Sequence, residues 1–228
     1  MDVRVPTPLH GWRILFGEVG VIVLGVLVAL GAQQVVQDLQ MQGEVSAFRQ
    51  TIDHEIALNL YIYDVRTRQT SCVTTQLKEL DSWLDKARNG AAVPPLRTAG
   101  PISLSVYRSA WDNRNANVFA HLPEKHRQKY AEFYDELANN THEFGLEKEA
   151  WRALDPYAEP GQISLEDRRK IRATLSFARS LNGMIDLNVE FSQKIASELG
   201  VRKIAPDGVS DVLDKDLAKC ATVIANNG

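Results

Sequence analysis

The chain has 228 residues, 44% hydrophobic, 24% charged and 7% aromatic. That length and balance suit one or two folded domains and exclude a wholly disordered or collagen-like chain. Twenty-six Lys and Arg against 29 Asp and Glu give a formal net charge of −3, so there is no basic footprint for nucleic acid. The apolar residues are unevenly spread. One block near the N-terminus is lipid-compatible, and the rest reads as water-soluble.

From Ile14 to Val36 the sequence is ILFGEVGVIVLGVLVALGAQQVV, and Val19 to Ala32 carries no charge. Crossing a hydrocarbon layer of ~30 Å takes about 20 helical residues, and Ile14 to Ala32 supplies about 19. A transmembrane helix over residues 14–36 is expected, helical because lipid offers the backbone no hydrogen-bond partners. Ala29 and Gly31 would also suit cleavage of a signal peptide before Ala32. Against that, the apolar run is long for a signal, and the helical pattern continues through Gln33, Gln34, Gln37 and Gln40. An uncleaved anchor is the expectation.

Flanking charge sets the expected orientation. Arg4 and Arg13 precede the span, whereas Asp38, Glu44, Asp53, Glu55 and Asp64 follow it with only Arg49 among them. Residues 1–13 are then a cytoplasmic tail and 37–228 an extracytoplasmic domain, periplasmic if the membrane is a bacterial inner membrane. Trp12 and Arg13 are the expected interfacial anchors. Glu18 is the odd residue of the span. It is either an ion relay or a structural group that reaches polar surroundings or a neighbouring subunit, and the second is expected. Gly17, Gly20 and Gly25, with Ala29, offer small residues for close helix contact. Gly17, Glu18, Gly25 and Ala29 are therefore the candidate membrane-helix contacts.

Beyond the span the period is helical. Val45, Phe48, Ile52, Ile56, Asn59, Tyr63, Val73, Leu77, Leu80 and Leu84 mostly step by three or four. One helix from Asp38 to Arg88 would run about 75 Å, so a bend is expected within the Ser/Thr-rich Thr67 to Thr75. Asn59, Arg66 and Thr70 interrupt the stripe, either as a polar ligand pocket between helices or, as expected, as a polar layer that fixes register or a stripe that drifts around the helix. Asn89-Gly90, Pro94-Pro95 and Gly100-Pro101 mark a loop. Ser103 to Asn117 is expected to be a short helix or two turns, holding Tyr107 and Trp111. Pro123 opens the next helix, with the stripe Tyr130, Phe133, Tyr134, Leu137, Thr141 and Phe144 read as packing. Ser164 and Asp167 form a capping pair for a helix that stops at Gly200. A last helix is expected from Ser210 to about Ala225. No segment alternates as a sheet does. The fold class predicted is all-α: one N-terminal transmembrane helix and then an antiparallel bundle of about four helices.

Cys72 and Cys220 are the only cysteines. In an oxidising compartment they are expected to form a disulfide, closing a loop of roughly 150 residues worth at most about 5 kcal/mol. Neither has a histidine nearby for zinc. His54-Glu55 matches the start of a zinc-protease helix, but Leu58 stands where the second His belongs. His121, Glu124 and His126 are close in sequence without a diagnostic spacing. No phosphate loop or nucleophile elbow occurs, and no cofactor is expected.

Gly17-Glu18, the run Leu24-Gly25-Val26-Leu27-Val28-Ala29-Leu30, Gln33 and the long amphipathic helix resemble a group of uncharacterised bacterial single-pass membrane proteins. Ser109-Ala110-Trp111 and Tyr130 to Leu137 resemble parts of it too. Gln34-Val35-Val36 departs from the Asn-Asn-Trp common in that group. The resemblance implies a Gly-Glu-led span and a helical extracytoplasmic region, with no activity to carry over. The expected function is a non-enzymatic scaffold or accessory subunit. Its partners are the bilayer and a membrane protein or a second copy of itself. The alternative is a periplasmic small-molecule sensor or binding module.

Overall fold

The computed structural model describes residues 12–89, 91–97, 100–217 and 219–224, excepting the side chains of 12–15, 89 and 210. The described residues form α1 (Trp12–Arg68), α2 (Thr70–Lys86), α3 (Ser109–Asp112), α4 (Ala116–Ala120), α5 (Glu124–Arg152), α6 (Leu165–Leu199) and α7 (Ser210–Leu217). Short 3-10 turns lie at Ala87–Asn89 and Asp155–Tyr157. There is no strand among the described residues; two isolated bridges join Val93 to Gly161 and Leu96 to Ile224. The fold is all-α.

The chain divides into two units, Met1–Phe48 and Arg49–Gly228. In the first, every described residue belongs to α1. From 16 to 40 every side chain is exposed, large apolar ones such as Val21, Leu24 and Leu27 included. A helix apolar on all sides belongs in a core or in lipid, and nothing in this unit covers it. The helical run Phe16–Lys86, near the N-terminus, contains the one window among the described residues apolar enough to cross a membrane. Arg4 lies outside the described residues, as do the side chains of Trp12 and Arg13. Residues 37–48 fall in this first unit. Gln37, Asp38, Gln40, Gln42 and Glu44 break any continuous apolar stripe there, and the first buried side chain is Ile52.

The second unit is built on residues 49–68 of α1, α2, α5 and α6. Ile52, Ile56, Asn59, Tyr63, Val73, Leu77, Leu80 and Leu84 of the expected stripe are buried, while Val45 and Phe48 at its start are half-buried. Ionic and hydrogen-bonded pairs give the helix directions. Asp53 pairs with Tyr130, Tyr63 with Asn140 and Arg66 with Glu147, so α1 and α5 run the same way. Lys129 pairs with Glu198 and Asn188 with Glu143, so α6 runs against α5. Parallel neighbours require a long connection, and the residues between α2 and α5 provide it.

The helix ends follow local chemistry. The bend falls at Gln69, whose N–H bonds to the Arg66 carbonyl, a 3-10 step that ends α1 before α2 restarts. Ser164 Oγ accepts from the Asp167 N–H at 3.0 Å, capping α6. Gly200 ends it at φ 78°, the left-handed conformation that favours glycine. Pro123 is the cap residue of α5. On α5, Thr141 is exposed and Asn140 takes its place in the buried stripe.

Two expected helical segments also change. Ser103 to Arg108 is not helical; side chains of α1 capture its main chain instead. The last helix stops at Leu217, because residues 219–224 dock on their neighbours. Arg97 N–H donates to the Val223 carbonyl at 2.7 Å, Val223 N–H donates to Glu79, and the Val223 side chain is buried. Ala225 lies outside the described residues. Cys72 and Cys220 form the expected disulfide, with a Cα–Cα distance of 5.4 Å across a sequence separation of 148.

Candidate functional site

Polar side chains on the inner face of α1 and at the bend that follows it organise the second unit. Asn59 Nδ2 donates to the Tyr107 carbonyl at 2.7 Å, and its Oδ1 accepts from the Tyr107 N–H at 2.9 Å. Gln69 does the same to Ile102, donating at 3.1 Å and accepting at 2.7 Å. Ten helical residues cover about 15 Å and five extended residues about 16 Å, so the stretch between the two clamps is an extended strap along α1. Glu55 ends the strap: its carboxylate accepts from the N–H groups of Ala110 and Trp111, capping α3, and from Tyr134 Oη. Trp111 stacks on Tyr134 with ring centres 4.5 Å apart, and the Arg114 guanidinium lies 4.0 Å from the centre of a Trp111 ring. Asn59 is thus a strap holder and not a ligand group.

Arg66 lies deeper, 3% exposed, against Glu147, also 3% exposed. Its Nε and one terminal nitrogen reach the two Glu147 oxygens at 2.9 and 2.6 Å. It also donates to Asn182 Oδ1 at 2.8 Å and to Thr70 Oγ1, which in turn donates to Asp186. The network links α1, α2, α5 and α6. Such a paired charge holds together because every strong donor has an acceptor; either partner alone would be costly. One turn away, Asn140 donates to Tyr63 Oη and Ser192 Oγ. Burial pushes the Tyr63 hydroxyl up to about 12, opposed by its bonds to Ser192 and Asn140. Burial first, then the Glu55 carboxylate, raises Tyr134 beyond the usual tyrosine range; burial and Asp53 do the same for Tyr130. Burial, reinforced by Glu143, Asp135 and Glu132, also raises the Glu136 carboxyl.

Outside this network the strap and α5 enclose an open cleft of about 350 Å³. Gly100, Pro101 and Ser103 line one wall, and Phe144, Glu147, Lys148, Trp151, Arg152 and Asp155 the other. A small space beside Arg66 shares Ser103, Phe144 and Glu147 with it. Trp151 is buried, and its indole N–H has no acceptor among the described residues. A Cβ on Gly100 would stand 2.8 Å from Trp151 Cγ, so only glycine lets the strap press on this indole.

The residues singled out in the span share no such cluster. At about 100° per residue, Glu18, Gly25 and Ala29 fall within about 40° of one another, while Gly17 lies a quarter-turn or so off and Gly20 on the far side. Glu18, Gly25 and Ala29 thus share one narrow face of the helix. A Cβ at Gly17 or Gly25 would meet nothing within 4 Å. His54 is exposed, and Glu55 beside it caps α3. His121 bonds the Asn117 carbonyl and His126 faces Arg49, so they serve different neighbours. No three His, Cys, Asp or Glu side chains gather as a metal site among the described residues.

Glu147, Asn182 and Trp151 escaped the sequence reading. Their signal was phase: Asn140, Phe144, Glu147 and Trp151 repeat at three or four along α5, so Glu147 occupies a core position. No family model, no curated protein and no solved structure matches this chain.

Proposed function

We propose that the protein is a membrane-anchored, non-enzymatic scaffold or accessory subunit. Residues 14–36 hold it in a bacterial inner membrane, with the tail in the cytoplasm and the helical unit in the periplasm. The narrow face of Glu18, Gly25 and Ala29 meets a membrane-protein partner or a second copy. The observation that carries this reading is an apolar helix exposed on every side, with a single carboxylate on its small-residue face. A lone carboxylate in a span is costly unless a partner or water meets it, and small residues let another helix approach closely enough. The Cys72–Cys220 disulfide fits an oxidising compartment. The Arg66 network supports a structural head, since its charges are spent on one another.

A photo-reactive residue placed at Gly25, Ala29 or Leu27 in native membranes tests this. Protein adducts at 25 and 29 but not at 27 are expected, because Leu27 points the opposite way. Equal labelling at all three positions, or lipid adducts alone, would refute it. External protease on spheroplasts should digest the helical unit and spare the tail.

A further inference from the structure

We propose that the cleft between the strap and α5 binds a small organic anion with an aromatic or apolar body. Its volume, about 350 Å³, suits a compact ligand. Phe144 and Trp151 give one wall an apolar surface. The charge balance selects the ligand's sign. Glu147 lines the cleft, but both of its oxygens are held by Arg66. Lys148 and Arg152 are exposed, one turn apart, and neither pairs with a carboxylate among the described residues. Asp155 is the single opposing acid. The free charge of the lining is therefore positive. Trp151 is 3% exposed, so it stiffens this wall and shows the cleft little more than its edge. Gly100 fixes the other wall by lying against the indole. The carbonyl end of α5 draws on the same two cations, so the affinity is modest, with a dissociation constant between about 0.1 and 1 mM. This site goes beyond the anchoring role and does not depend on it.

The test uses the full chain in nanodiscs of zwitterionic lipid. Binding of 3-phenylpropionate is compared with its uncharged amide and with 3-phenylpropylammonium by saturation-transfer NMR. The anion should reach half-saturation at or below about 1 mM, with the amide and the ammonium at least tenfold weaker. The exposed double variant Lys148→Gln/Arg152→Gln should lose about tenfold. No saturable binding of the anion, equal binding of all three probes, or an unchanged double variant would overturn the proposal. None of these results would alter the crosslinking pattern in the span.

Discussion

Replacing Glu147 with Leu would strand the Arg66 guanidinium, 3% exposed, with Asn182 and Thr70 as its remaining partners. Removing one partner of a buried ion pair costs about 3–5 kcal/mol. Arg66→Met should cost a similar amount, since Glu147 then loses both of its short contacts. A domain has only about 5–15 kcal/mol in total, so either change brings the helical unit near its limit. The double variant Arg66→Met/Glu147→Leu behaves differently. It removes both charges and leaves one unmet acceptor on Asn182, whose Nδ2 still reaches Thr74. That residue costs about 1–3 kcal/mol, so the two sites should couple by at least about 3 kcal/mol. Urea unfolding of the full chain in mild detergent, followed by tryptophan emission and far-UV circular dichroism with the disulfide intact, measures all three variants. A loss below about 1 kcal/mol for either single change, or a double variant equal to the sum, would refute the account of a desolvated pair.

Reducing Cys72–Cys220 should lower the stability of the helical unit by about 2–4 kcal/mol, short of the loop-entropy limit. Val223 and its backbone bonds should keep the C-terminal segment docked, as melting curves with and without reductant will show. Gly100→Ala places a methyl 2.8 Å from Trp151 Cγ. A loss of about 1–3 kcal/mol is expected, as for overpacked cores, with altered Trp151 emission; an unchanged protein would contradict the tight wall. Asn59→Ala should free Tyr107 and expose the strap to proteolysis near residues 103–106 at a cost of about 1–3 kcal/mol. For alkali, folded Tyr63 keeps its proton to about 12, while the unfolded chain releases it near 10.0. Above pH 10 the unfolded state therefore holds fewer protons, and stability falls as pH rises toward 12. Tyr63→Phe should flatten that fall in a pH series of urea midpoints.

The apolar periodicity revealed the helices, the disulfide partners and the caps at Ser164 and Gly200, because each depends on near neighbours or on two unique residues. Gln69 was legible only as part of a Ser/Thr-rich bend. The strap was not legible. Ser103 to Arg108 has no local reason to be extended, and the reason lies in Asn59 and Gln69, distant in sequence. The last helix was overestimated for a similar cause, since the pull on Val223 comes from Arg97 and Glu79. Arg66 stood out as a polar break in the stripe, but its partner Glu147 lies 81 positions further on, and a single sequence does not pair them. The cleft depends on Gly100 meeting Trp151, another encounter across the chain.

The same-way alignment of α1 and α5 has a consequence for synthesis. The surface that Ile52, Ile56 and Tyr63 bury in the finished protein has no cover until residues some eighty positions later leave the ribosome. The hairpin of α5 and α6 needs only nearby sequence and can assemble sooner once both have emerged. Meanwhile Asn59, Arg66 and Gln69 keep the waiting helix wetted and make it less adhesive toward other nascent chains. The groups that later clamp and cross-link the interior thus act first as solubilising breaks, and replacing all of them with leucine would both weaken the finished unit and make the nascent helix stickier.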